Sequence, residues 1–177
     1  MKKAALLFLL TALWACTPKK TETTATADST AVDTMMVATP PAPLMLAFNP
    51  MSGFYLNNSL VFTDSTNYFL FSSQQELAKK FSLNKSQGAE IGKTDFLINY
   101  MVGVACAPTT KLTTIVMDKV EAGDYTINIY LTIRRGEEQK SLSRPAQIFA
   151  IERRSGFTAL QFYVNGKEDK ALVLPME

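Results

Sequence analysis

From Tyr125 to Arg135 the chain alternates without a break. Tyr125, Ile127, Ile129, Leu131 and Ile133 fall on one parity, and Thr126, Asn128, Tyr130, Thr132 and Arg134 on the other. A period of two sends successive side chains to opposite faces of a pleated strand, so one face packs on a core and the other meets water. That pattern belongs to an antiparallel sheet. A second stretch, Asp95 to Cys106, is apolar at nearly every position, through Phe96-Leu97-Ile98-Asn99-Tyr100-Met101-Val102-Gly103-Val104-Ala105. An apolar run without alternation predicts a central strand covered on both faces. Together the two stretches require a layered β domain.

The remaining elements fit that frame. Phe54 to Phe62 reads as one strand or two short ones, and Thr63-Asp64-Ser65-Thr66-Asn67 as a turn before a strand at Tyr68 to Phe71. Ala107-Pro108-Thr109-Thr110 turns the chain into a strand from Lys111 to Val120, and Glu121-Ala122-Gly123-Asp124 is a tight turn. Ala146 to Glu152 is a further strand. Leu160, Phe162 and Val164 alternate ahead of Asn165-Gly166, a strong hairpin signal, with a return at Ala171 to Leu174. The polar stretches Asn84 to Thr94 and Gly136 to Ser143 read as loops. Ser73 with Glu76 three residues later forms a capping box, which predicts one short helix near 73–82 with Leu77 and Phe81 on its apolar face. The expected fold is mainly β or α+β: a single antiparallel sheet domain curling toward a small barrel or sandwich.

That domain occupies 45–177. Ahead of it, Met1-Lys2-Lys3 and the apolar Ala4 to Ala12 form the charged and hydrophobic regions of an export signal, too short for the ~20 apolar residues that span a bilayer. Leu13-Trp14-Ala15-Cys16 follows. It resembles the lipobox of bacterial lipoproteins, although Trp14 stands where a small residue is usual. The resemblance implies a signal peptide over 1–15, lipid on Cys16, and a location in the bacterial cell envelope, with the side of the membrane open. Residues 16–44 are rich in Thr, Ala and Pro and lack any apolar pattern, so they are expected to be a disordered tether. Asp28-Ser29-Thr30 and Asp33-Thr34-Met35 fit either a bacterial O-glycosylation acceptor or a plain polar linker.

Composition narrows the chemistry. The chain has no histidine, which removes the usual general base, the Ser-His and Cys-His nucleophile pairs and the commonest zinc ligand. Without Lys2 and Lys3, 16 basic residues face 16 acidic ones, so no basic field favours nucleic acid. With Cys16 lipidated, Cys106 has no disulfide partner and reads as a small buried hydrophobe. No enzyme activity, cofactor or metal is expected. Carboxylate-pair hydrolysis is the one catalytic class the composition readily permits, with Glu137, Glu138 and Glu152 as its acids.

The order of elements from Phe71-Ser72-Ser73 and Glu76-Leu77, through Asp95-Phe96 and Asp124-Tyr125, to Pro145 leading Ile148-Phe149-Ala150-Ile151 resembles the C-terminal domain of the protease complex subunit PrcB family. Where that family usually carries a Gly-Gly-Tyr-like turn, this chain has Ala107-Pro108-Thr109-Thr110-Lys111-Leu112. The resemblance implies a non-catalytic accessory lipoprotein that helps a secreted protease assemble or stay stable. Pro108-Thr109-Thr110 and Arg144-Pro145 also resemble two of the three inhibitory loops of chagasin-type cysteine protease inhibitors. The expected function is therefore a protein-binding module held at a membrane by its lipid, with a protease inhibitor or a small-ligand carrier as alternatives. Its candidate contact residues are Pro108, Thr109, Thr110, Arg134, Arg135 and Arg144, and its candidate contact segments are Ala107 to Lys111 and Gly136 to Ser143. Arg134, Arg135 and Arg144, with Arg153 and Arg154, read as solvated strand ends that protect sheet edges by charge, ahead of the alternative that they converge near one sheet edge to hold an anion or an acidic partner.

Overall fold

The computed structural model describes residues 42–84 and 95–175. The export signal, Cys16, the tether up to residue 41 and the loop over 85–94 lie outside the described residues. The body of the domain is one long ribbon folded over on itself. Strand β6 (Asn99–Cys106) runs into β7 (Thr109–Ala122), the chain turns at Gly123 to Tyr125, and β8 (Thr126–Ser143) runs back into β9 (Ala146–Glu152). β6 pairs antiparallel with β9, and β7 antiparallel with β8. Two-residue crossovers, 107–108 and 144–145, carry the ribbon from one sheet to the other, held together by Cys106 N–H donating to Pro145 O at 2.8 Å.

Flanking strands widen each half. The short β1 (Leu44–Met45), β10 (Ala159–Val164) and β11 (Lys167–Val173) complete a five-stranded sheet in the order β1-β7-β8-β10-β11. β2 (Phe48–Met51) and β4 (Thr66–Phe71) complete a four-stranded sheet in the order β2-β9-β6-β4. Pro50 lies in β2, an edge strand, where its missing N–H costs no ladder bond. β3 (Phe54–Leu56) and β5 (Phe81–Leu83) form a separate two-stranded ladder. The domain is a β-rich sandwich with two helices among the described residues, α1 (Gln74–Lys80) and the single-turn α2 (Asp95–Ile98).

Two apolar layers follow. Between the sheets, Val120, Ile127, Ile129, Leu131, Leu160 and Phe162 meet Tyr68, Tyr100, Val102, Val104, Phe149 and Ile151. On the other face of the four-stranded sheet, Phe71, Met101, Ala105 and Ile148 are covered by Leu77 of α1, Phe81 of β5, Leu56 of β3 and Leu60. β6 is therefore buried on both faces, which is why its sequence does not alternate. Gly103 marks the tightest point of the second layer, because a Cβ there would lie 3.0 Å from ring carbons of both Phe71 and Phe81.

Helix α1 begins as its capping box requires, with a displacement of one residue. Ser73 Oγ accepts from Glu76 N–H, but the Glu76 carboxylate reaches back to Ser72, accepting from its N–H and its hydroxyl at 2.9 Å each. The helix stops at Lys80, and Phe81 is already extended, as the first residue of β5.

Several expectations are corrected. The strands form two open main sheets, so of the two closures considered the sandwich applies and the barrel does not. The pairing is not wholly antiparallel: β10 lies parallel to β8, because β9 crosses to the other sheet before the chain returns. The apolar run opens with α2, which leaves Leu97 and Ile98 exposed. Phe54 to Phe62 holds only the three-residue β3, and the return strand after Asn165-Gly166 starts at Lys167 rather than Ala171. Gly136 to Ser143 is the far end of β8 rather than a loop.

Candidate functional site

The two segments singled out as contacts meet at the crossover end of the ribbon. Thr109 pairs with Ser143, Lys111 with Glu138, Thr113 with Arg135 and Thr114 with Arg134. Thr110 Oγ1 donates to Glu138 Oε1 at 3.2 Å, and Ser143 Oγ donates to Thr109 O at 3.0 Å. Between the Thr109–Ser143 and Thr113–Arg135 pairs, β8 spends seven residues, 136–142, against three on β7, 110–112. The surplus makes β8 bulge outward, and every residue from Arg134 to Leu142 is exposed. Pro108 is exposed at the crossover beside it.

Both edges of this part of the ribbon are open. β1 covers β7 only at Glu121 and Ala122, with Leu46 N–H adding one bond to Val120 O. Among the described residues, no strand pairs with the outer edge of β7 from Thr109 to Lys119. Leu112 and Val116 are exposed there, while Ile115 and Met117 turn inward. Leu112 to Met117 carries no charge, and Lys111 and Asp118-Lys119 close it at either end. On β8, pairing with β10 ends at Leu131. Asn165 then takes over: its side-chain amide accepts from Ile133 N–H at 3.0 Å and donates to Ile133 O at 3.2 Å. Asn165 sits at φ 50° and Gly166 at φ 79°, the left-handed pair that a tight hairpin turn demands. Beyond Ile133 the β8 edge is free of strands among the described residues.

Arg135 lines a cleft of about 510 Å³ with Ser65, Thr66, Asn165, Lys167 and Asp169. The cleft joins another of about 490 Å³ at the rim of the sandwich, where Tyr68 donates a short hydrogen bond to Asp169 Oδ2. Tyr68 stacks on Phe162 at 4.3 Å, so one ring ties the two sheets together. Burial, then the Asp169 hydrogen bond, push its phenol far above the usual range. Burial also pushes the Cys106 thiol up, against smaller opposite effects of Arg135 and Thr66. Nothing in sequence spacing pairs Tyr68 with Asp169, 101 residues apart.

The five arginines do not converge. Arg144 turns inward: its guanidinium donates to Asn57 O at 3.1 Å and Leu60 O at 2.7 Å, and lies over Phe62 at 5.3 Å. Arg153 and Arg154 follow β9, at its other end, ~23 Å away at the rise of an extended strand. There Arg153 donates to Phe96 O at 3.2 Å, and Arg154 pairs with Glu152 at 2.6 Å. The same separation keeps Glu152 from Glu137 and Glu138, so those acids form no carboxylate pair.

The solvent face of the five-stranded sheet has its own network. Tyr130 and Tyr163 stack at 4.8 Å, and Lys119 lies over Tyr130 at 4.3 Å while bonding Glu121 at 2.6 Å. The rings stand between neighbouring strands with their faces already in contact, so they are not an open aromatic platform. No group of three or more His, Cys, Asp or Glu among the described residues is placed to hold a metal ion. No family model, curated protein or solved structure matches this chain.

Proposed function

We propose that this chain is a lipoprotein of the bacterial cell envelope, anchored through Cys16, whose sandwich domain is a non-catalytic module that binds a protein partner. The partner's contribution is an extended segment that adds to the open edge of β7. The observation that carries the reading is that edge: a stretch from Leu112 to Met117, uncharged and, among the described residues, unpaired on one side, beside the exposed bulge of β8. An exposed edge presents a row of unused N–H and C=O groups that pair readily with another strand. Leu112 and Val116 share a parity on the solvent side, so the matching segment has apolar residues at alternate positions, an acid opposite Lys111 and a base opposite Asp118. The likeness to PrcB-type accessory proteins supports a secreted protease as the owner of that segment. An inhibitory role for Thr109 and Thr110 fits less well, because both lie within a paired strand rather than on a free loop.

The test is capture by crosslinking of tagged full-length protein in its own envelope. Val116→Lys and Leu112→Lys place charge on the edge, and Glu168→Lys on β11 serves as control. The proposal expects the partner to be lost from both edge variants and kept by the control, with unchanged melting. Equal capture by all three refutes strand addition at β7. A captured partner without protease activity leaves the edge in place and removes the protease assignment.

A further inference from the structure

Six of the eleven large apolar residues that stand exposed among the described residues gather at one end of the sandwich: Leu44, Met45, Leu97, Ile98, Tyr125 and Val173, each 52–82 % exposed. The topology brings them together. Leu44 pairs with Ala122, immediately before the turn that holds Tyr125. Tyr125 O accepts from Thr158 N–H at 2.8 Å and from its hydroxyl at 3.2 Å. Leu174 N–H donates to Thr158 O, which sets Val173 beside the same loop, and Arg153 N–H donates to Ile98 O, which ties α2 to it. An apolar patch on this scale marks a surface that meets something other than water.

The chain itself indicates what it meets. The domain is entered at Leu44, at this end, and 27 residues lie between Cys16 and Leu44. The composition of that stretch predicts a coil, which at this length averages ~30 Å end to end, so an anchored Cys16 keeps this end nearer the bilayer than the bulged end of the ribbon. The bulged end of the ribbon lies at the far end of β7, up to ~45 Å away at strand rise. Charge near this end is mixed, with Arg154 on Glu152 and Asp124 exposed at the turn, so apolar insertion rather than headgroup attraction makes the contact. Aromatic side chains such as Tyr125 settle at the headgroup boundary.

We infer that this end of the domain is a lipid-facing surface that rests on the membrane carrying the anchor, with Tyr125 and Val173 at the boundary between headgroups and acyl chains. The inference depends on lipidation of Cys16. Its consequence is orientation: the domain stands on this end and turns the open edge of β7 and the β8 bulge away from the bilayer.

The only tryptophan of the chain is Trp14, so a reporter is easily placed. Processing at Cys16 removes Trp14, so Tyr125→Trp and Leu142→Trp, prepared as mature lipidated protein, each carry a single tryptophan. Each is reconstituted in phosphatidylethanolamine–phosphatidylglycerol vesicles doped with brominated lipid. The inference expects Tyr125→Trp to lose most of its emission, at low and high salt alike, and Leu142→Trp to keep its own. Protein that floats with the vesicles while Tyr125→Trp stays bright, or both reporters quenched equally, overturns the lipid-facing end and leaves the anchor intact. Protein that does not float at all overturns the anchor, and the docking with it.

Discussion

Arg144 gives the sharpest test of the packing around the crossover. A sequence reading places it on the surface beside Pro145, available to a partner. In the fold it clamps the junction of β8 and β9 to the segment 57–62, donating to two backbone carbonyls and covering the Phe62 ring. Hydrogen bonds from a charged donor contribute about 1.5–3 kcal/mol each. A cation over a ring adds about 0.5–1 kcal/mol at a partly exposed site. The Nε of Arg144 is buried without an acceptor among the described residues, which returns part of the gain. Arg144→Ala should then destabilise the domain by about 2–4 kcal/mol, because it leaves the carbonyls of Asn57 and Leu60 with one donor fewer. For a domain of this size that is a melting shift of roughly 6–15 °C. Arg144→Lys should recover no more than about half, since a single ammonium lacks the planar fork that reaches both carbonyls. Urea unfolding followed by far-ultraviolet circular dichroism measures both. A lysine variant as stable as the parent, or an alanine variant within about 0.5 kcal/mol of it, the range of ordinary surface changes, would refute the clamp.

Three further outcomes follow from the same geometry. Gly103→Ala should destabilise by about 1–2 kcal/mol, because overpacking against Phe71 and Phe81 outweighs the conformational gain of replacing glycine in a strand; Gly103→Ala combined with Phe81→Leu should cost less than the two singly measured losses together. The Lys119–Glu121 pair should show a two-sided pH dependence: its hydrogen bond holds Glu121 below the ordinary 4.5, so that stability is present above this value and lost as pH falls through the folded pKa, and holds Lys119 above 10.5, so that it is present below this value and lost as pH rises beyond it. The melting difference between parent and Lys119→Met should therefore be flat at mid-range pH and shrink at both extremes. Tyr68 should stay protonated in an alkaline titration read by tyrosinate absorbance until the fold itself gives way, and Tyr68→Phe should remove about 0.5–1.5 kcal/mol with the Asp169 bond.

How much of this was legible in the sequence depends on what each side chain faces. The first half of β8 was readable because one face, through Ile127, Ile129 and Leu131, is sealed in the core and the other is wet. The second half, 136–142, has solvent on both faces, so no periodicity records that it continues the strand. The run at β6 was readable as doubly covered, but its first residues carry the same composition into α2, where Leu97 and Ile98 point outward. Asn165-Gly166 declared its turn because only left-handed backbone fits there, yet the second task of Asn165, closing the β8 edge at Ile133, leaves no local trace. Arg144 and the Tyr68–Asp169 bond were hidden for a common reason. Each depends on partners 84 to 101 residues away, which patterning along the chain cannot pair.

The central claim is that the outer edge of β7 is where a partner strand is taken up. Amide-resolved hydrogen–deuterium exchange of the full-length protein, free and crosslinked to its captured partner, addresses it directly. Strand addition predicts new protection at alternate amides between Leu112 and Met117, with those already bonded to β8 unchanged. Protection confined to another surface, or none along β7, would contradict it.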